Sequence, residues 1–199
     1  DIMSAWITAE SEGLKDGSDF GLDQIISDCL LLLDGGAETT RTVIARSMLN
    51  LANSPTQWEL LKGGADLEIA VEEFIRYVTP IHNMCRVATE DYSIHGKTIR
   101  KGDQVVLMYS SANRDPEKFT NPEALDISRN PNHHIAFGFG THFCLGASLA
   151  RLEIKLFFEQ LIERVENFAL AGNPVEMPNA FVYGLASCPM DLTPKASHV

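Results

Sequence analysis

Cys144 stands in the stretch Phe137-Gly138-Phe139-Gly140-Thr141-His142-Phe143-Cys144-Leu145-Gly146, where three glycines surround one thiol directly ahead of a helical pattern. Glycine at that density permits a tight loop whose backbone comes close to something flat or bulky. A thiol just before a helix feels the partial positive charge of the helix N-terminus, which favours the thiolate. His142, two residues earlier, can project from the same loop toward an anionic group. A small buried hydrophobe is the commonest role for cysteine, and Cys29, Cys85 and Cys188 are read that way. A phosphate cradle is excluded, because no Gly-Lys-Ser/Thr end follows the glycines. The dinucleotide fingerprint fails too, since Phe143 stands where its third glycine belongs. The four cysteines form no CxxC pair and have no histidine cluster, so zinc spacing is absent.

A second stretch able to do chemistry is Leu31-Leu32-Leu33-Asp34-Gly35-Gly36-Ala37-Glu38-Thr39-Thr40. Adjacent glycines inside a helix cost about 1 kcal/mol each relative to alanine, so they need a reason. Close packing of two helices explains one glycine; a pair followed by Glu-Thr-Thr fits a ligand site better. Helical spacing puts Leu32, Gly36 and Thr39 on one stripe, with Val43 a turn further. A carboxylate and a hydroxyl at Glu38 and Thr39 can together deliver protons to a bound group. Glu73 and Arg76 form an i,i+3 pair, which on an exposed helix contributes only about 0.2–0.5 kcal/mol.

These residues need elements to hold them. Residues 1–11 read as the end of a helix, closed by a loop over 13–21. A helical pattern of roughly 30 residues runs over 22–53, about 48 Å at the usual rise. Ser54-Pro55 starts a shorter helix ended by Gly63-Gly64, and 66–78 is amphipathic and stopped by Pro80. Alternation around His95-Gly96-Lys97 predicts a hairpin over 92–99, followed by a strand at 104–108. Residues 113–133 are rich in Pro, Asn and Asp and read as an ordered meander, with Asn113-Arg114-Asp115-Pro116 and Asn130-Pro131-Asn132 as turn chemistry. A strong helix follows the cysteine loop over 147–165, and 174–192 reads as a β-hairpin. The fold class is mainly α with small sheets, without repeats or a linker.

The 199 residues are 45% hydrophobic and 22% charged, enough for one sizeable core. A net charge of −11 argues against a nucleic-acid-binding surface. No stretch reaches the roughly 20 apolar residues a membrane span needs, and no signal peptide is evident, so the chain reads as cytoplasmic.

The pattern Phe-x-x-Gly-x-His-x-Cys-x-Gly, filled by Phe137, Gly140, His142, Cys144 and Gly146, resembles the haem-binding loop of the cytochromes P-450. The resemblance implies haem b as cofactor, with Cys144 donating a thiolate to its iron. It makes Phe137 and Gly138 neighbours of the sulfur, with Gly146 closing the loop. His142 and Arg86, which follows 80–85, pair with haem propionates. Glu38 and Thr39 match the family's oxygen-activating pair, which protonates bound dioxygen; Asp34 departs from the apolar residue expected there. Glu73-x-x-Arg76 matches the charge pair that braces the meander. Pro122-Glu123-Ala124-Leu125 stands where many relatives carry the third member, an arginine, and Arg129 is read as its substitute. The substrate pocket is assigned to 30–36, 81–85 and 181–185, with Leu32, Gly35, Gly36, Ile81, Met84 and Val182 lining it.

The resemblance covers all 199 residues but only the C-terminal half of the family fold: the long central helix, the Cys-loop before a helix and the C-terminal hairpin. It therefore implies one haem-binding half-domain over 1–199, part of a longer chain whose N-terminal half completes the pocket, and inactive on its own. The implied reaction is monooxygenation of an apolar substrate such as a sterol, fatty acid or terpenoid, the finer match being to bacterial sterol side-chain and fatty-acid hydroxylases. Electrons come from a ferredoxin or flavoprotein docking over the Cys144 face. The competing readings are a peroxide-dependent haem-thiolate peroxygenase and a non-catalytic remnant serving as a haem-binding or interaction module.

Overall fold

The computed structural model describes residues 2–12 and 21–196, and the chain divides into two compact units, 1–38 and 39–199. The first unit holds α1 (Ile2–Glu12) and α2 (Leu22–Ala37), the latter opened by Gly21, whose carbonyl accepts from the Gln24 and Ile25 amides. The loop expected over 13–21 lies, except for Gly21, outside the described residues. No helix among the described residues is long and apolar enough to cross a membrane.

The second unit opens with α3 (Thr39–Ala52). The sequence reads 22–53 as one helix; the structure has two, separated at Glu38. Gly35 and Gly36 lie within the last turn of α2, where low helix propensity weakens propagation, and the break falls just after them. Inward residues of α3 (Val43, Arg46, Ser47, Leu51) follow the 3–4 spacing of a buried stripe.

Pro55 pre-sets the first turn of α4 (Pro55–Lys62), which turns Trp58 and Leu61 into the core. Asp66 caps α5 (Leu67–Val78), its carboxylate accepting from the Glu68 amide at 2.9 Å. Thr79 ends α5 in a left-handed turn (φ 45°), Pro80 preventing continuation. These ends were legible from composition alone.

Beyond α5 come β1 (Asn83–Val87), β2 (Tyr92–Ile94), β3 (Lys97–Ile99) and β4 (Gln104–Met108). β2 and β3 form the expected hairpin, with positive φ at both His95 and Gly96 as a tight primed turn demands. β4 pairs antiparallel with β1, a strand the sequence reading lacks. The short α6 (Tyr109–Ala112) leads into the meander. A 3₁₀ turn (Gly140–His142) then precedes α7 (Ala147–Arg164).

The tail differs from the single hairpin expected over 174–192. β5 (Val165–Leu170) continues directly from α7 and pairs with β8 (Met190–Pro194), while β6 (Val175–Glu176) pairs with β7 (Leu185–Ser187). Val165 and Phe168 are buried, and Phe168 meets Trp58 edge-on with ring centroids 4.8 Å apart. That packing fixes β5 as a strand where helix periodicity suggested only an end.

The core gathers Leu51, Trp58, Phe74, Ile127, Ile154 and Phe158 from α3, α4, α5, the meander and α7. Phe74 and Phe158 are fully buried with ring centroids 4.6 Å apart, each burial contributing about 1.5–3 kcal/mol. α5 is thus clamped against α7, and the cysteine loop is carried on the end of that clamp.

Candidate functional site

The loop ahead of α7 is built by its backbone. Gly138 and Gly140 have φ of 74° and 69°, a region that residues with a Cβ adopt only at a cost. A Cβ at Gly138 would also lie 3.3 Å from the His142 carbonyl. The Cys144 amide donates to the Phe137 carbonyl at 2.9 Å, and the Phe143 amide to that of Gly140 at 3.0 Å. These bonds deliver Cys144 to the protein surface as a free, exposed thiol. Gly146 stands as N-cap of α7 with no side-chain cap, and the Ala147 amide donates to the Cys144 carbonyl at 3.3 Å, so the helix starts directly on the cysteine.

The surroundings of the thiol fit a haem. Phe139 and Leu145 are 87% and 88% exposed, and Phe143 and Leu149 also open outward, giving an apolar apron beside the sulfur. Among the described residues no three His, Cys, Asp or Glu side chains converge on a metal position. A porphyrin brings the other ligands of its iron, so a single thiolate suffices to hold it. His142 is exposed on the 3₁₀ turn. Arg86 is half-buried on β1, its Nη1 donating to the Cys85 carbonyl at 2.8 Å.

Glu73 and Arg76 are fully buried and paired through both carboxylate oxygens, at 2.7 and 2.8 Å. Arg129 Nε donates to Glu73 Oε2 at 3.0 Å, as do Asn132 Nδ2 at 3.0 Å and, to Oε1, the Asp126 amide at 2.9 Å. Arg76 Nη1 also donates to the Asn113 and Pro122 carbonyls. The network therefore ties α5 to both ends of the meander. Asn113, which sequence reasoning read as turn chemistry, accepts the Ile135 amide at 2.8 Å just ahead of the cysteine loop.

Ile81 and Val182, both assigned to the pocket, meet in an isolated antiparallel bridge, and Met84 lies on β1 beyond it. Arg46, absent from the sequence reading, holds this tail. Its guanidinium lies 3.2 Å from the Tyr183 ring centroid, donates to the Tyr183 and Gly184 carbonyls and pairs with Glu176. Thr39 is half-buried at the start of α3. In the first unit, Leu32 is exposed, as are Gly35 and Gly36, while Glu38 is half-buried.

A second acidic cluster was also missed. Arg151 of α7 grips Glu72 of α5 through both oxygens, at 2.5 and 2.9 Å, and His134 Nε2 lies 3.0 Å from Glu72 Oε2. Burial raises the Glu72 pKa, but hydrogen bonds from His134 and Arg151 prevail and bring it down from 4.5 to about 2. A depressed carboxylate contributes stability that is present above its unfolded pKa and lost as pH falls through the folded one. The stability of the protein should therefore decline between about 4.5 and about 2, and Glu72→Gln should flatten that decline. Urea midpoints measured across this range check it; parallel curves for the two proteins refute the assignment.

The cytochrome P-450 family model matches residues 67–189. The chain is 42% identical to the steroid C26-monooxygenase of Mycolicibacterium smegmatis over 199 residues, covering 98% of this chain and 49% of that protein. It is 47% identical to the biotin biosynthesis cytochrome P-450 of Bacillus subtilis over 150 residues, covering 75% and 38% respectively. Among solved structures, the bacillaene polyketide synthase cytochrome P-450 PksS of Bacillus subtilis superposes with a TM-score of 0.86 at 38% identity, covering 97% of this chain and 50% of that one. The chain spans about half the length of these relatives.

Proposed function

The chain belongs to the cytochrome P-450 family, and from that premise we propose that it carries the thiolate side of a haem monooxygenase acting on an apolar substrate. The observation that carries this reading is the exposed Cys144 thiol, set by a glycine-built loop before the N-terminus of α7 and ringed by outward apolar side chains. The family's cofactor, haem b, supplies when bound a redox-active iron for activating dioxygen. Cys144 would give the thiolate that holds it, from the loop that ends at the α7 N-terminus. Phe137 and Gly138 shape the loop against the sulfur. His142 and Arg86 offer a donor and a cation for the carboxylates at the haem edge.

Glu38 and Thr39 would supply a carboxylate and a hydroxyl able to hold and pass the protons that dioxygen chemistry at such an iron consumes. By family resemblance, Leu32, Gly35 and Gly36 of the first unit, and separately Ile81, Met84 and Val182 of the second, are assigned to substrate contact. Their apolar character suits a steroid or fatty acid, and a relative named as a steroid C26-monooxygenase supports the first. A ferredoxin or flavoprotein delivers electrons over the Cys144 face.

The haem-loaded protein, reduced under carbon monoxide, should show the red-shifted Soret band specific to thiolate ligation. A haem-loaded protein without that band sinks the proposal. Glu38→Gln should lower product formation by about 10²-fold with substrate binding unchanged, the loss expected for a removed proton carrier. Turnover sustained equally by peroxide, and indifferent to this substitution, would point to a peroxygenase instead.

A further inference from the structure

The Glu72–Arg151–His134 cluster has no part in the reaction so far, yet it reaches the cysteine loop directly. The Arg151 guanidinium sits over the Phe137 ring at 4.6 Å from its centroid, and Phe137 is the residue whose carbonyl accepts the Cys144 amide. The His134 ring lies 5.9 Å from the same Phe137 ring, and the Phe143 ring lies 6.1 Å from it. Phe137 is therefore held among a cation and two aromatic rings. The His134 side chain is only 2% exposed, and the Ala136 amide donates to its Nδ1 at 3.2 Å. With Nδ1 accepting that bond, Nε2 is the ring nitrogen that faces Glu72 Oε2. Glu72 accordingly receives Arg151 in a fork and His134 from the side, which fixes the plane of the guanidinium.

The cluster also carries charge toward the sulfur. The Glu72 hydrogen bond chiefly, with the Glu72 charge behind it, holds the Arg151 pKa above its usual range against the opposing effect of burial. We infer that Arg151 is a positioning residue for the Cys144 loop, oriented by Glu72 and His134, which fixes the Phe137 ring and sets the local charge beside that loop. The inference rests on the reading of Cys144 as haem ligand. Consecutive carboxylates of α5 then have separate tasks: Glu73 braces the meander, and Glu72 braces the loop.

The signs of the expected effects separate this role from a merely structural one. Arg151→Gln removes a cation near the thiolate and leaves Glu72 negative, so the haem reduction potential should shift negative. Glu72→Gln frees an unneutralised Arg151, so the potential should shift positive. A simple brace between α5 and α7 would move both variants the same way. Lys155→Gln is the control, because Lys155 bridges the same two helices to Glu68 at 2.8 Å on an exposed face, without touching Phe137. It should leave the potential and the thiolate band as in wild type.

The holoenzyme and its three variants would be compared by redox titration and by the lifetime of the reduced carbon monoxide band. Arg151→Gln should shorten that lifetime about 10–100-fold, the usual cost of losing a partner behind a metal ligand. Arg151→Lys, which keeps the charge but not the fork, should restore the potential and only part of the lifetime. Shifts of equal sign in Arg151→Gln and Glu72→Gln, or no shift in either, overturn the inference while a wild-type thiolate band leaves the functional reading standing. A wild-type holoenzyme lacking that band overturns both.

Discussion

Replacing Cys144 by serine is expected to abolish the thiolate band of the reduced carbon monoxide complex and to reduce monooxygenation below detection. Serine keeps the size and the backbone bond to Phe137, so the loop should persist. What disappears is the ligand: a serine hydroxyl does not ionise near neutral pH, and it is the thiolate that binds a metal. The loss should exceed the about 100-fold that removal of an outer partner costs, because the ligand itself is gone. The other cysteines supply internal controls. Burial pushes the Cys188 thiol up, which makes it a poor thiolate, and Cys85 lies on β1. Cys85→Ser and Cys188→Ser should therefore retain the band. Retention of the band in Cys144→Ser, or its loss in Cys85→Ser, would falsify the assignment.

What could be read from the sequence was local. The loop announces itself because positive φ at Gly138 and Gly140 demands glycine, and because α7 begins immediately after it. The ends of α5 were legible through Asp66 and Pro80, and the β2–β3 turn through His95-Gly96. The pairing of Glu73 with Arg76 follows from helical spacing, but its complete burial does not, since that depends on the meander folding over it. The Glu72–Arg151 and Arg46–Glu176 pairs were invisible for a plainer reason. Their partners lie 79 and 130 positions apart, beyond any periodicity a single sequence displays. β5 was missed likewise: its partner β8 lies across the whole tail, and nothing in Val165-Glu166-Asn167 alone marks a strand. Even the helix break at Glu38 is displaced from the glycines that cause it.

Glu73→Gln is expected to destabilise the protein by about 3–5 kcal/mol, the usual cost of stripping one partner from a buried ion pair. The neutral amide can still accept from Asp126, but it leaves Arg76, with no exposed surface, uncompensated and Arg129 half-deprived. Arg76→Leu should cost a similar amount, because the Asn113 and Pro122 carbonyls also lose their donor. Removing both charges together should cost less than the sum, since each single variant already strands the other partner. Guanidinium unfolding followed by helix content measures this, and single variants within about 1 kcal/mol of wild type would contradict it. The consequence should extend to the haem ligand. Arg76 grips the Asn113 carbonyl while the Asn113 side chain accepts the Ile135 amide, and the Ile135 carbonyl in turn accepts the Gly138 amide. A chain of hydrogen bonds thus runs from the buried pair into the turn that presents Cys144. A variant that loosens the pair should lose thiolate ligation at a lower denaturant concentration than that at which its helices melt. The wild type, with the chain intact, should lose both together.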